Sequence, residues 1–211
     1  MFETKVNIPK TKRGEKTFNK LIEAAENSFY EKGYYGTSIV DITKGADVGL
    51  GTFYVYFEDK LTIYRYLLKA YSYQIRKAIS EAIQEEKAQH RMDMEEIGLR
   101  AFLQFISDNR HIYNIIWESL YIDKTLFIDY YTNFGEYYQK QITDAQATGE
   151  MKKYDPEVAA FMLMGISNFI GLNWIMFKDD KNFDYVSKEA IRILSIGMFG
   201  DSSNWRGIKL I

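Results

Sequence analysis

The residue types that do bond-making chemistry are scarce in this chain. Its two histidines, His90 and His111, stand far apart with no Glu-x-x-His partner of the kind that holds a di-iron centre in a helical bundle. There is no cysteine, so thiolate nucleophiles, thiolate metal sites and disulfides are excluded. No Gly-x-Ser-x-Gly elbow and no phosphate loop occurs. The acidic clusters Glu85-Glu86 and Asp93-Glu95-Glu96 read as solvated faces. The expectation is a protein that is not an enzyme and has no cofactor or bound metal. Charge points instead to recognition. Residues 1–20 hold Lys5, Lys10, Lys12, Arg13, Lys16 and Lys20 against Glu3 and Glu15, six cations against two carboxylates and a net +4. The whole chain carries −2, so the remainder carries −6. A basic head on an acidic body suits contact between the head and a polyanion, although a solvated basic tail would carry the same charges. Residues 1–13 have no core pattern and read as such an arm.

The elements that must position these residues are helices. Hydrophobic residues make up 46% of the 211 positions, enough for a sizeable core, and only Pro9 and Pro156 interrupt long helices. Phe18, Leu21, Ile22, Ala25 and Phe29 recur at helical spacing, which predicts a first helix over about 16–32, stopped by a left-handed Gly33. Ser38 with Asp41 has capping-box spacing and opens a short helix over 38–45. A tight turn at Ala46-Asp47-Val48-Gly49 leads to a second short helix over 50–57. Asp59 caps a long helix over 60–87. Five further helices follow, at about 94–107, 110–121, 125–147, 156–177 and 185–199. No strand, repeat or low-complexity tract is visible. The apolar run 158–177 is broken by Gly165, Ser167, Asn168, Gly171 and Asn173, and reads as a buried or interfacial helix rather than a membrane span. The start of the chain has no apolar core of a signal peptide, and a cytoplasmic protein with no membrane partner is expected. The tail 201–211 contains Trp205, Ile208, Leu210 and Ile211 and has no assigned role.

Two short helices joined by a tight turn behind a longer helix form a helix-turn-helix. The residues in it are more specific than the pattern. The stretch 33–60 contains Gly33-Tyr34, Thr37-Ser38-Ile39, Ile42, Ala46, Val48, Gly51-Thr52-Phe53-Tyr54, Tyr56-Phe57 and Lys60. It closely resembles the DNA-binding head of the tetracycline-repressor (TetR) family, over roughly residues 14–70. Beyond that the likeness is one of length and helical character. The resemblance implies an all-α protein of about nine helices, with a three-helix head (residues 1–60) and a larger helical body (residues 61–211) for effector binding and dimerisation. It implies double-stranded DNA as partner, read by the third helix in the major groove. The expected DNA contacts are Thr37, Ser38, Gly49, Leu50, Gly51, Thr52, Tyr54, Tyr56 and Lys60, with Lys60 in the family's phosphate-binding position. Thr37 and Ser38 also sit at a helix N-terminus, where free N–H groups favour phosphate. Phe53 and Phe57, four apart, should anchor the helix inward. Asp47 replaces the family's turn glycine, Gly49 a capping serine, Leu50 a polar residue and Thr43 an alanine. Aspartate tolerates the left-handed turn, and Leu50 can touch a thymine methyl, so these departures bear on the operator sequence more than on DNA binding.

The body is rich in aromatics, from Phe102 to Tyr138. Most suit a core, but an apolar pocket with hydroxyl tips has the same composition, and in the resembled family this region holds a small-molecule effector. Tyr113, Trp117 and Phe134 are the expected lining. Met162, Gly165, Ile166, Phe169, Ile191, Leu194 and Met198 combine apolar bulk with a small residue and form the expected homodimer surface. The expected function is a dimeric, ligand-responsive regulator that represses from a palindromic operator and is released by a largely apolar effector through tilting of the fourth helix. A helical protein-interaction module that does not depend on DNA is the alternative.

Overall fold

Helix ends fall where short polar side chains can satisfy the unpaired donors of a first turn. The computed structural model describes residues 6–196. They form α1 (Lys12–Gly36), α2 (Ile39–Gly45), α3 (Leu50–Tyr56), α4 (Lys60–Glu85), α5 (Arg91–Asp108), α6 (His111–Ile122), α7 (Lys124–Thr148), α8 (Pro156–Gly171) and α9 (Phe183–Ile196). Thr11 caps α1, Asp59 caps α4, Asp123 caps α7 and Asp155 caps α8, each by accepting from a first-turn N–H. At α2 both halves of the capping box form: Asp41 N–H donates to Ser38 Oγ at 3.1 Å, and Ser38 N–H to Asp41 Oδ2 at 2.8 Å. These bonds, with Lys32 beside it, hold the Asp41 carboxyl well below the usual carboxylate range. Asp47 takes a φ of 55°, as the turn requires of the residue that replaces glycine.

One expectation holds in part and one needs correction. Gly33 takes the expected positive φ, 69° with ψ 172°, and breaks the regular helix there, though a further turn runs on to Gly36. A side chain there would be strained by its φ, and its Cβ would lie 2.7 Å from Glu118 Oε1. The apolar stretch 156–177 is not one regular helix either. After Gly171 it widens into a π-helical segment, Leu172–Phe177, a departure that often accompanies function. The Tyr113 hydroxyl stands where a Gly171 Cβ would be, and donates to the Asn168 carbonyl at 2.9 Å.

Packing follows the periodicity. Phe18, Leu21, Ala25 and Phe29 of α1 meet Ile42 of α2, and Phe53 and Phe57 at α3; all are buried. The same core continues along α4 through Ile63, Tyr64, Leu67, Tyr71 and Ile75 into the body, where α4 packs on α5, α5 on α9, α6 on α7 and α7 on α8. The head also touches the body directly, because α1 packs against α6. No β-strand occurs among the described residues; Val6 and Phe57 make one isolated antiparallel bridge. The stretch 156–177 is long and apolar enough to cross a membrane by length and composition (mean hydropathy 1.6). Ala160, Met164 and Ile175 face inward, while Val158, Phe161, Met162, Phe169 and Phe177 are exposed.

Candidate nucleic-acid interface and internal cavity

The reading helix is built from a strict division of faces. Phe53 and Phe57 are fully buried, with ring centroids 5.5 Å apart. Phe57 also stacks on Phe18 at 5.2 Å, which fixes α3 against α1. The opposite face is open: Leu50, Tyr54 and Val55 are each about half exposed, and Thr52 is partly so. A Cβ built at Gly49 or Gly51 would meet nothing within 4 Å, so the backbone itself forms part of that face. Val55 belongs to this surface and was not among the expected contacts; its place one residue beyond Tyr54, four beyond Gly51, was the available signal.

Other expected contacts lie elsewhere. Thr37 is a correction: its side chain is buried, and its hydroxyl is drawn to the Ser28 and Gly33 carbonyls at 2.9 and 2.8 Å. It holds the end of α1 rather than facing a phosphate. Ser38 is exposed, but its hydroxyl is committed to Asp41. Lys60 donates to the Tyr34 and Thr37 carbonyls at 2.5 and 2.6 Å, with its ammonium 4.2 Å above the Tyr34 ring. Burial lowers its pKa. An ammonium has three donors, so Lys60 braces the α1–α2 junction and has one left over. Tyr56 lies half-buried at the rim, edge-on to Phe18, and its hydroxyl donates to the Gly14 carbonyl at 3.3 Å.

The arm is also more ordered than its composition implied. Asn7 N–H donates to the Tyr56 carbonyl at 2.9 Å and Asn7 Nδ2 to the Val55 carbonyl at 3.0 Å. Val6 packs against the core. Pro9 comes so close to α1 that a Cβ on Gly14 would stand 2.9 Å from it. The end of the reading helix thereby holds residues 6–9 in place, and the exposed Lys10, Lys12 and Arg13 follow immediately.

The body encloses a cavity of about 350 Å³ among α4 to α9. Its apolar wall includes Ile75, Ile79, Leu99, Phe102, Ile116, Phe134 and Leu163. Tyr113 and Phe134 line it; Trp117 does not, and is corrected to the α6–α7 seam, where its ring lies 5.9 Å from that of Phe127. Polar groups punctuate the wall. Tyr113 and Tyr131 both donate to Asn168, on its carbonyl and its Oδ1. Burial pushes the Tyr131 hydroxyl up to about 12, and Tyr113 and Tyr130 well above the ordinary tyrosine range, so all three stay protonated. Arg91 donates to Glu95 Oε1 at 2.8 and 2.5 Å, and the Tyr138 hydroxyl donates to Glu95 Oε2. Glu95 is therefore not on a solvated face: its side chain is 14% exposed and lines the cavity. Only its i, i+4 spacing from Arg91 hinted at this.

The expected dimer surface divides. Met162 and Phe169 are exposed, and a Cβ at Gly165 would meet open space. Ile166 is partly accessible and Leu194 exposed, and both also border the cavity. Ile191 is corrected: it is buried and lines the cavity, because α9 turns that face toward α5. Met198, the end of the last expected helix, and the tail 201–211 lie outside the described residues.

Comparison with known proteins agrees with this geometry. Residues 21–67 match the family model described as bacterial regulatory proteins, tetR family. The chain is 24% identical over 175 residues to the uncharacterized HTH-type transcriptional regulator YhgD of Bacillus subtilis, covering 81% of this chain and 88% of that protein. Among solved structures it resembles a putative TetR-family transcriptional regulator from Syntrophomonas wolfei (TM-score 0.74, 24% identity, 90% of this chain and 99% of that one). It also resembles the transcriptional regulator FadR from Bacillus subtilis in complex with stearoyl-CoA (TM-score 0.72, 20% identity, 86% of this chain and 100% of that one). With the helix-turn-helix exposed on α3 and the all-α body behind it, the chain is a DNA-binding transcriptional regulator of TetR type, its match to that family lying in the head, residues 21–67.

Proposed function

We infer that this regulator is a cytoplasmic homodimer that represses from a palindromic operator and is released when a largely apolar effector fills the body cavity. The observation that carries this reading is the double duty of α6. On one side Tyr113 and Ile116 line the cavity. On the other, Glu118 accepts the Tyr34 N–H at 2.7 Å and the Ile115 carbonyl accepts the Tyr64 hydroxyl at 2.5 Å. A ligand that displaces α6 therefore pulls on the end of α1 and on α4, both of which set the attitude of α3. Release requires that the effector bind the displaced state more tightly than the DNA-bound one. The stearoyl-CoA held by Bacillus subtilis FadR, a protein of the same fold, favours an effector with a long apolar chain.

One head reads few base pairs, so specificity calls for two half-sites about 34–36 Å apart or a multiple of that. The exposed apolar face of α8 around Gly165 supports a two-fold surface that would bring two heads to that spacing. The test is selection of bound duplexes from a random pool, followed by gel shift of the selected site with the parent chain and with Gly165→Arg. An arginine there would bury an unpaired charge in the dimer, costing roughly 3–5 kcal/mol. The expected outcome is a palindromic site, and a variant that sediments as a monomer, keeps its helical circular dichroism and loses the site. A Gly165→Arg dimer that still binds the palindrome would remove α8 from the interface; selection of no DNA sequence would remove the operator.

A further inference from the structure

The cavity is not closed on all sides. A groove of about 960 Å³ runs between α4 and α7. Arg76, Ser80, Gln84, Tyr130 and Tyr137 border both spaces, so they form the mouth through which the cavity meets the surface. Arg76 differs from the other arginine of the wall. Arg91 is neutralised by Glu95, in an ion pair whose side chains are 11% and 14% exposed. Arg76 donates to the Ser72 hydroxyl at 2.9 Å and lies 5.8 Å from the Phe134 ring centroid and 5.3 Å from that of Tyr137. Among the described residues no carboxylate stands within ion-pairing distance of it.

We propose that the effector is an amphiphile bearing one free carboxylate, with its apolar body in the cavity and its carboxylate on Arg76 at the mouth. This rests on the reading of the cavity as the effector site and adds the class of ligand. Aromatic faces and the Ser72 bond hold the guanidinium plane, which leaves further N–H donors arranged as the fork that a carboxylate matches with two bonds. Further in, the wall is apolar at Ile75, Ile79, Leu99 and Phe102, and its polar groups are bonded to one another, Tyr113 and Tyr131 to Asn168 and Arg91 and Tyr138 to Glu95. The groove outside argues against a polyanionic head. Its cations Arg65, Lys69, Arg76 and Lys77 stand among Glu81, Asp129 and Glu136, with Lys77 paired to Glu81 at 3.7 Å and Arg65 to Asp123 at 3.4 Å. The phosphates of a coenzyme A thioester would meet a groove of mixed charge, with as many carboxylates as cations once Arg76 is set aside, whereas a single carboxylate at the mouth meets Arg76.

The experiment is calorimetric titration of the full chain with dodecanoate, dodecanol and dodecanoyl-CoA, each below its micelle concentration, using the parent, Arg76→Gln and Arg76→Lys. Dodecanoate should bind the parent about 10- to 100-fold more tightly than dodecanol, the ratio expected of a charge-assisted hydrogen-bonded pair. Arg76→Gln should remove that gap by weakening dodecanoate alone, and Arg76→Lys should restore part of it. Dodecanol binding as tightly as dodecanoate to the parent, or Arg76→Gln weakening both ligands equally, overturns the carboxylate anchor and leaves an apolar effector site standing. Dodecanoyl-CoA binding more tightly than dodecanoate overturns it in favour of the thioester. Binding of none of the three overturns the anchor together with the effector reading of the cavity.

Discussion

Head and body are both aromatic, yet they use their rings in opposite ways. In the head the rings close on each other: Phe18 contacts Tyr56, Phe57 and Tyr66, and Phe29 contacts Tyr34 and Tyr64, all with centroids within 6 Å. In the body Tyr130, Tyr131 and Phe134 touch along one helix, but with Tyr137 and Tyr138 they also face about 350 Å³ of space. The head is thus a filled core that fixes one surface, α3. The body is a shell with residual volume, in which a ligand can replace packing that the chain does not supply. The same composition gives a filled core in one place and a lined cavity in the other, depending on whether each ring meets another ring.

The largest expected effect tests that contrast directly. Phe53 is fully buried among rings, so Phe53→Ala should cost the usual ~3–5 kcal/mol of an aromatic deleted from a close-packed core. Phe134 is half-buried and already borders a void, so Phe134→Ala should cost less, about 1–2 kcal/mol. Denaturant melts of both variants give the comparison. Equal losses would mean that the body is packed as tightly as the head.

Next come two glycines of the body that differ in the same sense. At Gly171 a Cβ collides with the Tyr113 hydroxyl, so Gly171→Ala should destabilise by ~1–3 kcal/mol through overpacking. At Gly98, on the cavity wall, a Cβ would make only ordinary contact, 3.4 Å from Ile79 Cγ2. Gly98→Ala should therefore stabilise α5 by up to ~1 kcal/mol, the usual gain of alanine over glycine within a helix. Thermal melts that moved in the same direction for both would refute the difference in packing.

Lys60 brings a smaller effect, and it belongs to the head. Its two bonds to backbone carbonyls are charge-assisted but partly exposed to water, so Lys60→Met should cost ~1 kcal/mol of stability. It should also change the salt slope of DNA binding less than removing Lys10, Lys12 and Arg13 together, because those three are exposed beside the reading helix. Salt titrations that ranked Lys60→Met above the triple variant would return Lys60 to the phosphate contacts.

How much of this the sequence showed also divides between head and body. The capping box at Ser38, the inward Phe53 and Phe57 and the turn at Asp47 involve residues at most four apart, and local spacing carries such information. The arm's docking on Tyr56 and Val55, the Thr37 hydroxyl's bond to Ser28 and the Lys60 brace join residues nine to forty-nine positions apart. No periodicity encodes them. In the body, periodicity located the starts of the described helices to within a few residues, but it missed the π-helical segment after Gly171 and does not fix how each helix is rotated. That is why Ile191 faces a cavity rather than a partner, Trp117 faces a seam and Glu95 faces inward. The residues that give the cavity its chemistry, Arg76 and Arg91, have nothing in their local sequence that separates them from surface arginines.

The smallest expected effect lies at the seam between the two regions. His111, at the start of α6, sits near Tyr30 of α1 and Tyr71 of α4, with Nε2 3.9 Å from Glu26 Oε1. Burial lowers the His111 pKa below its ordinary 6.5. Burial raises the Glu26 pKa above its ordinary 4.5, helped by the charge of Glu23 and opposed by the Tyr71 hydroxyl. The two shifts act on stability in opposite directions. For His111, the unfolded chain takes up the proton first, so stability falls as pH drops from 6.5 through the lowered folded value. For Glu26, the unfolded chain gives up its proton first, so stability falls as pH rises from 4.5 through the raised folded value. Between pH 4.5 and 6.5 the two slopes oppose each other, and the pair titrates as a unit because its members are close. The parent's thermal midpoint should therefore show no single slope over that window, falling as pH rises from 4.5 with the Glu26 shift and recovering toward pH 6.5 with the His111 shift. Glu26→Gln should leave the histidine slope, with a midpoint that falls as pH falls, and His111→Leu should leave the opposite slope. Asp41, Asp123 and Asp184, all with lowered pKa values, lose their contributions at more acidic pH and do not interfere. If both variants tracked the parent from pH 7 to pH 5, the seam would not be set by these two charges, and its stability would rest on the contacts of Glu118 and Tyr64 alone.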